Sequence, residues 1–383
     1  MPSTPTVVRD REFLRVTWPD NHSALFHPYW LRENCHCSVC THQDAWERLV
    51  DPRQIPLDIT VAGISQDPYG LGLEWPEHDA PCDGTIYSWD WLDAHRTETE
   101  AVETRRPTTR RWRSTDLDRD GSTVSYNQMM DTPGGLRRFL EIIEEVGVGF
   151  LSGCPTEVGT VTGIAGRLGF VETSHFGDRF DVESKPAAEN LAYTAVALPP
   201  HNDLPSREHL PGVQLLLCLE SAATGGESIL VDALAAAERL RTEDTASFDL
   251  LVRTPVTFTS VAETWHIVNR APIIATDSDG RITGTRVHPA LIGPVDVAPE
   301  LMADFYKAHR ALLDIVTDPS MQFTFRLEPG DCQIFDNQRI LHARWSFDPN
   351  SGPRHLEGCY VPLDEVKSAL AIARRNGTPF RKI

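Results

Sequence analysis

The chain has 383 residues, of which 40% are apolar and 24% are charged, as is typical of a globular protein longer than one ordinary domain. Its formal net charge of -19 is expected to repel nucleic acids and anionic membranes, and no apolar run approaches the roughly 20 residues of a transmembrane helix. We therefore predict neither a nucleic-acid partner nor a membrane partner. The first residues lack the apolar core of an export signal, so the eight cysteines are interpreted as thiols in a reducing compartment, the cytoplasm.

Residues 1–93 predict a small β-rich domain. The stretches FLRVTWPDNHSALF at 13–26 and GLGLEWPEHDA at 70–80 are typical of short strands that end in polar turns, and no helix is predicted among them. The composition then shifts across residues 94–115, which contain the basic run RRPTTRRWR. This segment is interpreted as a solvated linker, and residues 116–383 are interpreted as a larger second domain.

Three closely spaced cysteines in the first domain indicate a metal site. Cys35, Cys37 and Cys40 form a C-x-C-x2-C pattern, which allows one ion to bind three thiolates at about 2.3 Å each. A fourth ligand is required, and the candidates are His36, His42 and His78. Sulfur-rich sites with four protein ligands are structural, so this ion, predicted to be zinc, is assigned no chemistry.

The second domain combines helices with many strands. Residues 132–146 carry apolar side chains at helical spacing, and a second helix is predicted from an N-cap at Thr156 to a stop at Gly169. Strand-like runs dominate the remainder, with further helices at 232–241 and 299–316. This pattern predicts a sandwich of sheets with peripheral helices.

A histidine and an aspartate lie two residues apart in the segment LPPHNDLP, where prolines disfavour a helix. In an extended chain His201 and Asp203 face the same side and can reach one ion. Far downstream, FDNQRILHAR supplies His342, and Arg354 follows twelve residues later. Two histidines and one carboxylate that leave coordination positions open are diagnostic of nonheme Fe(II) oxygenases.

Five stretches of the sequence, spread over nearly the whole chain, are specific when taken together. They are HPYWLRENCHCSVC, AYTAVALPPHNDLPSREHLPGVQLLLCL, ATGGESILVDA, FDNQRILHAR and RHLEGCYV. They resemble the γ-butyrobetaine hydroxylase and trimethyllysine dioxygenase group of the taurine dioxygenase-like Fe(II)/2-oxoglutarate oxygenases. The resemblance implies a double-stranded β-helix (jelly roll) behind a small zinc-binding domain, in a protein that forms homodimers. It implies as zinc ligands Cys35, Cys37, Cys40 and His78, and as iron ligands His201, Asp203 and His342.

The resemblance also implies that 2-oxoglutarate and O2 react at Fe(II), with decarboxylation to succinate and hydroxylation of a second substrate. 2-Oxoglutarate is a dianion, so the carboxylate that lies far from the iron needs a fixed cation. Arg354 matches the group's position for a bidentate pair with that carboxylate. Ser228, after the two glycines of TGGES, is predicted to add a hydroxyl, and Arg344 is a second candidate for cosubstrate binding. Ascorbate is an expected additive in assays in vitro.

The group's substrates carry a trimethylammonium head, which donates no hydrogen bond and is therefore recognised by aromatic faces. The positions that match the group's cage are Phe176, Phe180, Tyr193 and Tyr360. For the anionic end of the substrate, Asn190 matches one asparagine of the group, whereas His288 and Pro289 stand where a second asparagine is expected. Arg286, His288 and Arg179 are either ligands for another anion, such as a phosphonate, or solvated loop residues.

The leading prediction is an Fe(II)/2-oxoglutarate dioxygenase that hydroxylates a small trimethylammonium acid of the γ-butyrobetaine type. One alternative keeps the iron chemistry on a trimethylammonium phosphonate or another betaine, with hydroxylation, desaturation or rearrangement as the outcome. A zinc-dependent hydrolase with the same three ligands gives no reason for Arg354 or Ser228. A noncatalytic zinc-stabilised binding protein has no need of three intact iron ligands.

Overall fold

The computed structural model describes residues 4–76, 82, 84–98, 109–183 and 191–375. These residues form two compact units, one with the described residues up to 98 and one with those from 109 onward. In these ranges no helix is both long enough and apolar enough to cross a bilayer.

The first unit holds two antiparallel sheets among its described residues. One consists of β1 (Thr6–Asp10), β2 (Phe13–Thr17) and β3 (Ser23–Phe26), and the other of β4 (Gly63–Gln66), β5 (Gly70–Glu74) and β6 (Ile86–Ser88). The prediction that no helix interrupts the strands is wrong, because α1 (Pro28–Glu33) and α2 (Trp89–Ala94) form. Proline at the first helical position and the capping ring of His27, which accepts the Tyr29 N–H, explain why α1 begins there.

The second unit is larger. Its strands are β7 (Thr123–Ser125), β8 (Val148–Ser152), β9 (Phe180–Val182), β10 (Leu198–His201), β11 (Val213–Ser221), β12 (Thr224–Gly225), β13 (Ser228–Asp232), β14 (Val256–Val261), β15 (His266–Ala271), β16 (Ile274–Thr276), β17 (Ile282–Thr285), β18 (Phe323–Phe325), β19 (Cys332–Asp336), β20 (Ile340–Arg344), β21 (Phe347–Asp348) and β22 (Arg354–Val361). Its helices are α3 (Tyr126–Asp131), α4 (Pro133–Val146), α5 (Thr160–Leu168), α6 (Ala233–Glu243), α7 (Thr245–Arg253), α8 (Met302–Thr317) and α9 (Leu363–Arg374).

Two sheets form the centre of this unit. One has the strand order β7-β8-β19-β11-β22-β9, and the other has the order β10-β20-β13-β18. Helices α4, α5 and α9 pack on the first sheet, and α6, α7 and α8 pack on the second. The predicted β-rich jelly roll with peripheral helices is confirmed.

Successive side chains of β20 face alternately the hydrophobic core and the cavity between the two sheets. Leu341 packs into the cluster beneath α6, α7 and α8, whereas His342 and Arg344 line the cavity. Because successive side chains of a strand point to opposite faces, this register places both polar residues on the inner face.

The two helices predicted before the central strands both form. Helix α4 begins after Thr132, whose side chain accepts the Gly135 N–H at 3.0 Å. The N-cap predicted at Thr156 is wrong, since α5 begins only at Thr160, after Gly159. The physical reason is the buried carboxylate of Glu357, which accepts the Gly159 N–H at 2.8 Å and so binds the amide end of the helix.

Residues 99–108 of the expected linker lie outside the described residues, but its last part packs into the second unit. Trp112 is 1% exposed and donates its indole N–H to the Val146 carbonyl at 2.8 Å. The Trp112 backbone N–H donates to Asp232, which is also paired with the buried Arg339 at 2.8 Å. Residues 109–115 are therefore held by the core of the second unit.

Candidate active site

Three side chains able to hold a metal ion meet between the two central sheets. One ligand atom from each of His201, Asp203 and His342 lies within 4.8 Å of the other two. His201 ends β10 directly opposite His342 of β20, and their ring centroids are 4.2 Å apart. A register shift between Leu198 and His201 bends β10, as is common for strands beside functional sites. The structure thus brings together the three residues predicted as iron ligands.

Two fully buried asparagines fix the turn after His201. Asn202 accepts the Val287 N–H at 2.7 Å and donates to the Asn337 carbonyl at 2.5 Å. The side chain of Asn337 accepts the Asp203 N–H at 2.8 Å. The middle residue of the H-x-D sequence is therefore an anchor that points away from the ligand atoms, and it holds Asp203 beside the histidines.

Hydrogen bonds and burial set the tautomer of His201 and the charges of Asp203 and His342. His201 donates from Nδ1 to the Pro199 carbonyl at 2.8 Å, which leaves the Nε2 lone pair available, 3.4 Å from Asp203. Burial opposes the charge on Asp203, but the two imidazoles and the Tyr360 hydroxyl hold the pKa of its carboxyl well below the usual range. Burial and the adjacent imidazole lower the pKa of His342 to about 3. An ionised carboxylate and imidazoles with free lone pairs are the forms that bind metals.

A cavity of about 310 Å³ lies beside these ligands. It is lined by the three candidate ligands, by Arg354, Ser228 and Arg344, and by all four aromatic residues predicted for the cage. Among the lining residues that the structure describes, Asp203 is the only carboxylate. The described residues predicted for iron, cosubstrate and substrate thus share one cavity.

Arg354 begins β22 and presents a partly buried guanidinium to the cavity. Burial lowers its pKa, but an arginine remains charged at neutral pH. Across the described residues its guanidinium has no hydrogen bond and no ion pair, and its central carbon lies 5.5 Å from the ring centroid of Phe347. Gly226 allows this approach, because its φ is +76° and a Cβ there would lie 3.1 Å from the Arg354 Nε. A partly buried, unpaired cation in a cavity with the Ser228 hydroxyl suits a carboxylate ligand.

Arg344 occupies a different environment. Its guanidinium donates to the carbonyls of Ala192, Thr194 and Val196 at 3.3, 2.7 and 2.8 Å. These carbonyls flank Tyr193, so Arg344 orients the segment that carries one aromatic wall of the cavity. Although Arg344 was predicted as a cosubstrate ligand, most of its donors are engaged by this segment.

The aromatic residues predicted for the cage lie close together. Phe180 of β9 is 5.1 Å from Tyr360 and 6.4 Å from Phe176, measured between ring centroids. A further aromatic side chain, Trp265, lines the cavity 5.8 Å from Phe176. Sequence reasoning missed Trp265, because a single tryptophan in a hairpin loop carries no motif and only the fold brings it here.

The arginines considered for an anionic group are engaged elsewhere. Arg286 donates to three backbone carbonyls of residues 205–208. Arg179 pairs with Asp181 at 3.1 Å and with the buried Glu357 at 2.5 Å. Neither guanidinium lines the cavity. Arg286 therefore supports the backbone of residues 205–208. Arg179 supports Glu357, the carboxylate that binds the first amides of helix α5.

His288 is the member of this group that faces the cavity. Its ring lies 4.8 Å from that of His201, and its Nδ1 is buried without a hydrogen-bond partner among the described residues. Burial, with His201 beside it, lowers the pKa of His288 to about 3, so the ring is neutral. Asn190, the other residue predicted for the anionic end, lies outside the described residues.

The first unit holds a cluster of four thiols, described by itself. Cys35, Cys37, Cys40 and Cys82 each place Sγ within 4.8 Å of the others. The Sγ atoms of Cys35 and Cys82 are 3.4 Å apart, and Arg32, which is fully buried, donates to Cys40 at 3.2 Å. Sequence reasoning missed Cys82, although it is the only other cysteine before residue 94. His78, predicted as the fourth ligand, lies outside the described residues.

A jelly roll whose inner faces hold two histidines and a carboxylate defines the class of nonheme iron oxygenases. Residues 105–360 match the profile described as taurine catabolism dioxygenase TauD, TfdA family, and residues 6–93 match the one described as gamma-butyrobetaine hydroxylase-like, N-terminal. The chain belongs to the taurine catabolism dioxygenase TauD, TfdA family.

Curated relatives align over almost their whole length. The gamma-butyrobetaine dioxygenase of Pseudomonas sp. (strain AK-1) is 38% identical over 94% of this chain and 93% of its own. The Homo sapiens protein of the same name is 30% identical over 94% of each chain, and the trimethyllysine dioxygenase of Meyerozyma guilliermondii is 29% identical over 94% of this chain and 93% of its own. A solved structure of asparagine oxygenase aligns with 21% identity and a TM-score of 0.49, over 60% of this chain and 79% of that chain. The resemblance inferred from the sequence is confirmed by the relatives, and the protein is a 2-oxoglutarate-dependent dioxygenase.

Proposed function

We propose that the protein hydroxylates a small trimethylammonium acid of the γ-butyrobetaine type, with Fe(II), 2-oxoglutarate and O2. The observation that carries this proposal is one cavity that contains a three-ligand metal cluster, an unpaired arginine and a group of aromatic rings. The names of the similar proteins, two of which are gamma-butyrobetaine dioxygenases, support the choice of substrate.

His201, Asp203 and His342 are proposed to hold the iron. Their ligand atoms converge, the carboxylate is ionised, and the Pro199 carbonyl fixes the His201 tautomer, so the donor set fits Fe(II). When bound, iron supplies the activation of O2 that is coupled to oxidation of 2-oxoglutarate to succinate and CO2. The residues of this chain supply binding, orientation and exclusion of water.

Arg354 is proposed to bind the far carboxylate of 2-oxoglutarate, and Ser228 to add a hydrogen bond. The support is an unpaired, partly buried guanidinium that lines the cavity, together with a buried hydroxyl in the same wall. A buried cation without a counterion is costly, so a dianionic cosubstrate is stabilised there by charge-assisted hydrogen bonds. Arg344 is proposed to act by positioning the Tyr193 segment.

The trimethylammonium head is proposed to bind among Phe176, Phe180, Tyr193 and Tyr360. A quaternary cation offers no hydrogen-bond donor, and the only described carboxylate in the wall, Asp203, belongs to the metal cluster. Attraction to aromatic faces is the remaining way to offset the cost of desolvating the cation.

The anionic end of the substrate is proposed to meet His288, together with Asn190. His288 supports this placement, because it lines the cavity and its buried Nδ1 has no hydrogen-bond partner among the described residues. The alternative of a phosphonate receives no support from Arg286 or Arg179, whose donors are engaged.

The experiment that tests the function is succinate formation by the purified protein with Fe(II), 2-oxoglutarate, O2 and a panel of betaines, with ascorbate present. We expect γ-butyrobetaine to stimulate succinate release and to gain a hydroxyl group. His201→Ala should abolish this turnover while the protein stays folded, because too few ligands remain to hold iron. Stimulation by a phosphonate analogue but not by the carboxylate would favour the alternative substrate.

A structural zinc ion is proposed for the first unit, held by Cys35, Cys37 and Cys40 with a fourth ligand. In a tetrahedral site with zinc–sulfur bonds of 2.3 Å, sulfur atoms lie about 3.8 Å apart. Cys82 lies 3.4 and 3.8 Å from Cys35 and Cys37, so the geometry favours Cys82 over His78 as the fourth ligand.

The cytoplasm and a homodimeric state are also proposed. None of the eight cysteines, all of which are among the described residues, forms a disulfide, which supports a reducing compartment. Molar mass measured by light scattering during gel filtration tests the dimer, for which we expect about twice the monomer mass of 42.8 kDa.

A further inference from the structure

The hairpin formed by β14 and β15 contributes one wall of the cavity. The two strands form a sheet of their own, paired from Val256 and Ala271 to Val261 and His266. The base of the hairpin is anchored by Phe258, which is buried in the cluster under α6, α7 and α8. Along β14 the exposure rises from the buried Val256 and Phe258 to the exposed Val261 beside the loop.

Trp265, in the loop of this hairpin, contacts two other aromatic side chains. Its ring centroid lies 4.7 Å from that of His175 and 5.8 Å from that of Phe176, at interplanar angles of 54° and 76°. Its indole N–H donates to the Ser260 hydroxyl at 3.2 Å, and the Ala262 N–H donates to the Trp265 carbonyl at 2.9 Å. The indole is therefore fixed within its own hairpin, and it needs no hydrogen bond from a ligand.

The other aromatic residues of the cavity are weaker partners for a cation than an indole ring. Two of the four proposed cage residues, Phe176 and Phe180, are phenyl rings, and a third, Tyr360, has its hydroxyl bonded to Asp203 at 2.7 Å. Indole has the most favourable face for a cation, so Trp265 would be the strongest single cation–π partner in this wall.

We propose that Trp265 is a fifth wall of the cage and determines the preference for a quaternary ammonium group over a neutral group of the same shape. This inference rests on the proposed function and deepens it. Trp265 lies on a hairpin loop, whereas Phe180 and Tyr360 lie on strands of a central sheet.

The test compares γ-butyrobetaine with its isostere 5,5-dimethylhexanoate, in which an uncharged tert-butyl group replaces the trimethylammonium head, in the succinate assay. We expect Trp265→Leu to raise the KM for γ-butyrobetaine about tenfold and the inhibition constant of the isostere by less than about threefold. Trp265→Phe, which keeps an aromatic face, should lie between Leu and wild type. The KM for 2-oxoglutarate should be unchanged in both variants. Val268→Ala, an exposed position on the same hairpin that does not line the cavity, is the matched control and should behave as wild type.

The outcomes separate the two proposals. If wild type binds and oxidises γ-butyrobetaine but Trp265→Leu has the wild-type KM, the Trp265 assignment is overturned and the proposed function stands. Equal losses for the betaine and the isostere would mean that Trp265 only fills space, which also overturns the assignment. If no trimethylammonium compound stimulates succinate formation by the wild-type protein, both the proposed substrate and the proposed role of Trp265 are refuted.

Discussion

The hydroxyl of Tyr360 donates a hydrogen bond of 2.7 Å to Oδ2 of Asp203, while Oδ1 of the same carboxylate faces the two histidines. The ring of Tyr360 packs at 5.1 Å against Phe180. One side chain therefore contacts both a proposed metal ligand and a proposed wall of the substrate cage. Partners that orient ligands in this way tune metal affinity.

Tyr360→Phe keeps the aromatic ring and removes this hydrogen bond. We expect Fe(II) affinity to fall by about 10-fold or more, since the carboxylate loses a partner that orients it. Equilibrium dialysis of Fe(II) under nitrogen measures the effect. Phe180→Leu, which removes the packed ring but leaves the hydrogen bond, should change the KM for the betaine and leave Fe(II) affinity near wild type. Equal Fe(II) affinity in Tyr360→Phe and wild type would contradict the positioning role.

Asn337→Ala tests the anchor of the turn that holds Asp203. The substitution leaves the buried N–H of Asp203 without its acceptor and removes donors to two carbonyls, at a cost of about 1–3 kcal/mol for each unsatisfied group. We expect a lower free energy of unfolding in urea and weaker Fe(II) binding together. Asn350→Ala, at an exposed position, serves as the control. Unchanged stability of Asn337→Ala would show that the turn is held by other contacts.

Arg354→Met and Arg344→Met should affect different ligands. The first removes the proposed partner of 2-oxoglutarate, and a charge-assisted bond of about 1.5–3 kcal/mol corresponds to about a 10- to 150-fold rise in the KM for 2-oxoglutarate. The second frees the segment around Tyr193, so its main effect should be on the KM for the betaine. Steady-state kinetics with each substrate varied in turn measures both values. If Arg354→Met mainly raised the KM for the betaine and Arg344→Met mainly raised the KM for 2-oxoglutarate, the roles proposed for the two arginines would be overturned.

Cys82→Ala and His78→Ala decide the fourth ligand of the proposed zinc site. If Cys82 is that ligand, its removal should lower the zinc content per chain and the Tm, because zinc binding contributes folding free energy. His78→Ala should then retain zinc. Metal analysis by mass spectrometry and thermal unfolding measure both quantities, and the reverse result would assign the site to His78. Full zinc content in both variants would exclude both residues as ligands.

Much of the fold could be predicted from local patterns. Helix α4 follows from apolar spacing, with Gly147 at its end in a left-handed conformation that favours glycine. The beginning of α5 could not be predicted, because the group that binds its first amides is Glu357, almost two hundred residues away in sequence. A capping partner at that distance exists only after the strands of the jelly roll have paired.

The sequence by itself determined the family and the chemical types at the site, since H-x-D, the late histidine and the aromatic positions are carried by motifs. Only the tertiary structure decided which partners the arginine side chains bind. It engages Arg344, Arg286 and Arg179 with carbonyls and carboxylates and leaves Arg354 unpaired among the described residues. The physical reason is that a side chain's identity fixes which bonds it can make, whereas its partners depend on which distant strands and loops pack against it. Trp265 and Cys82 were added to their clusters by that same packing.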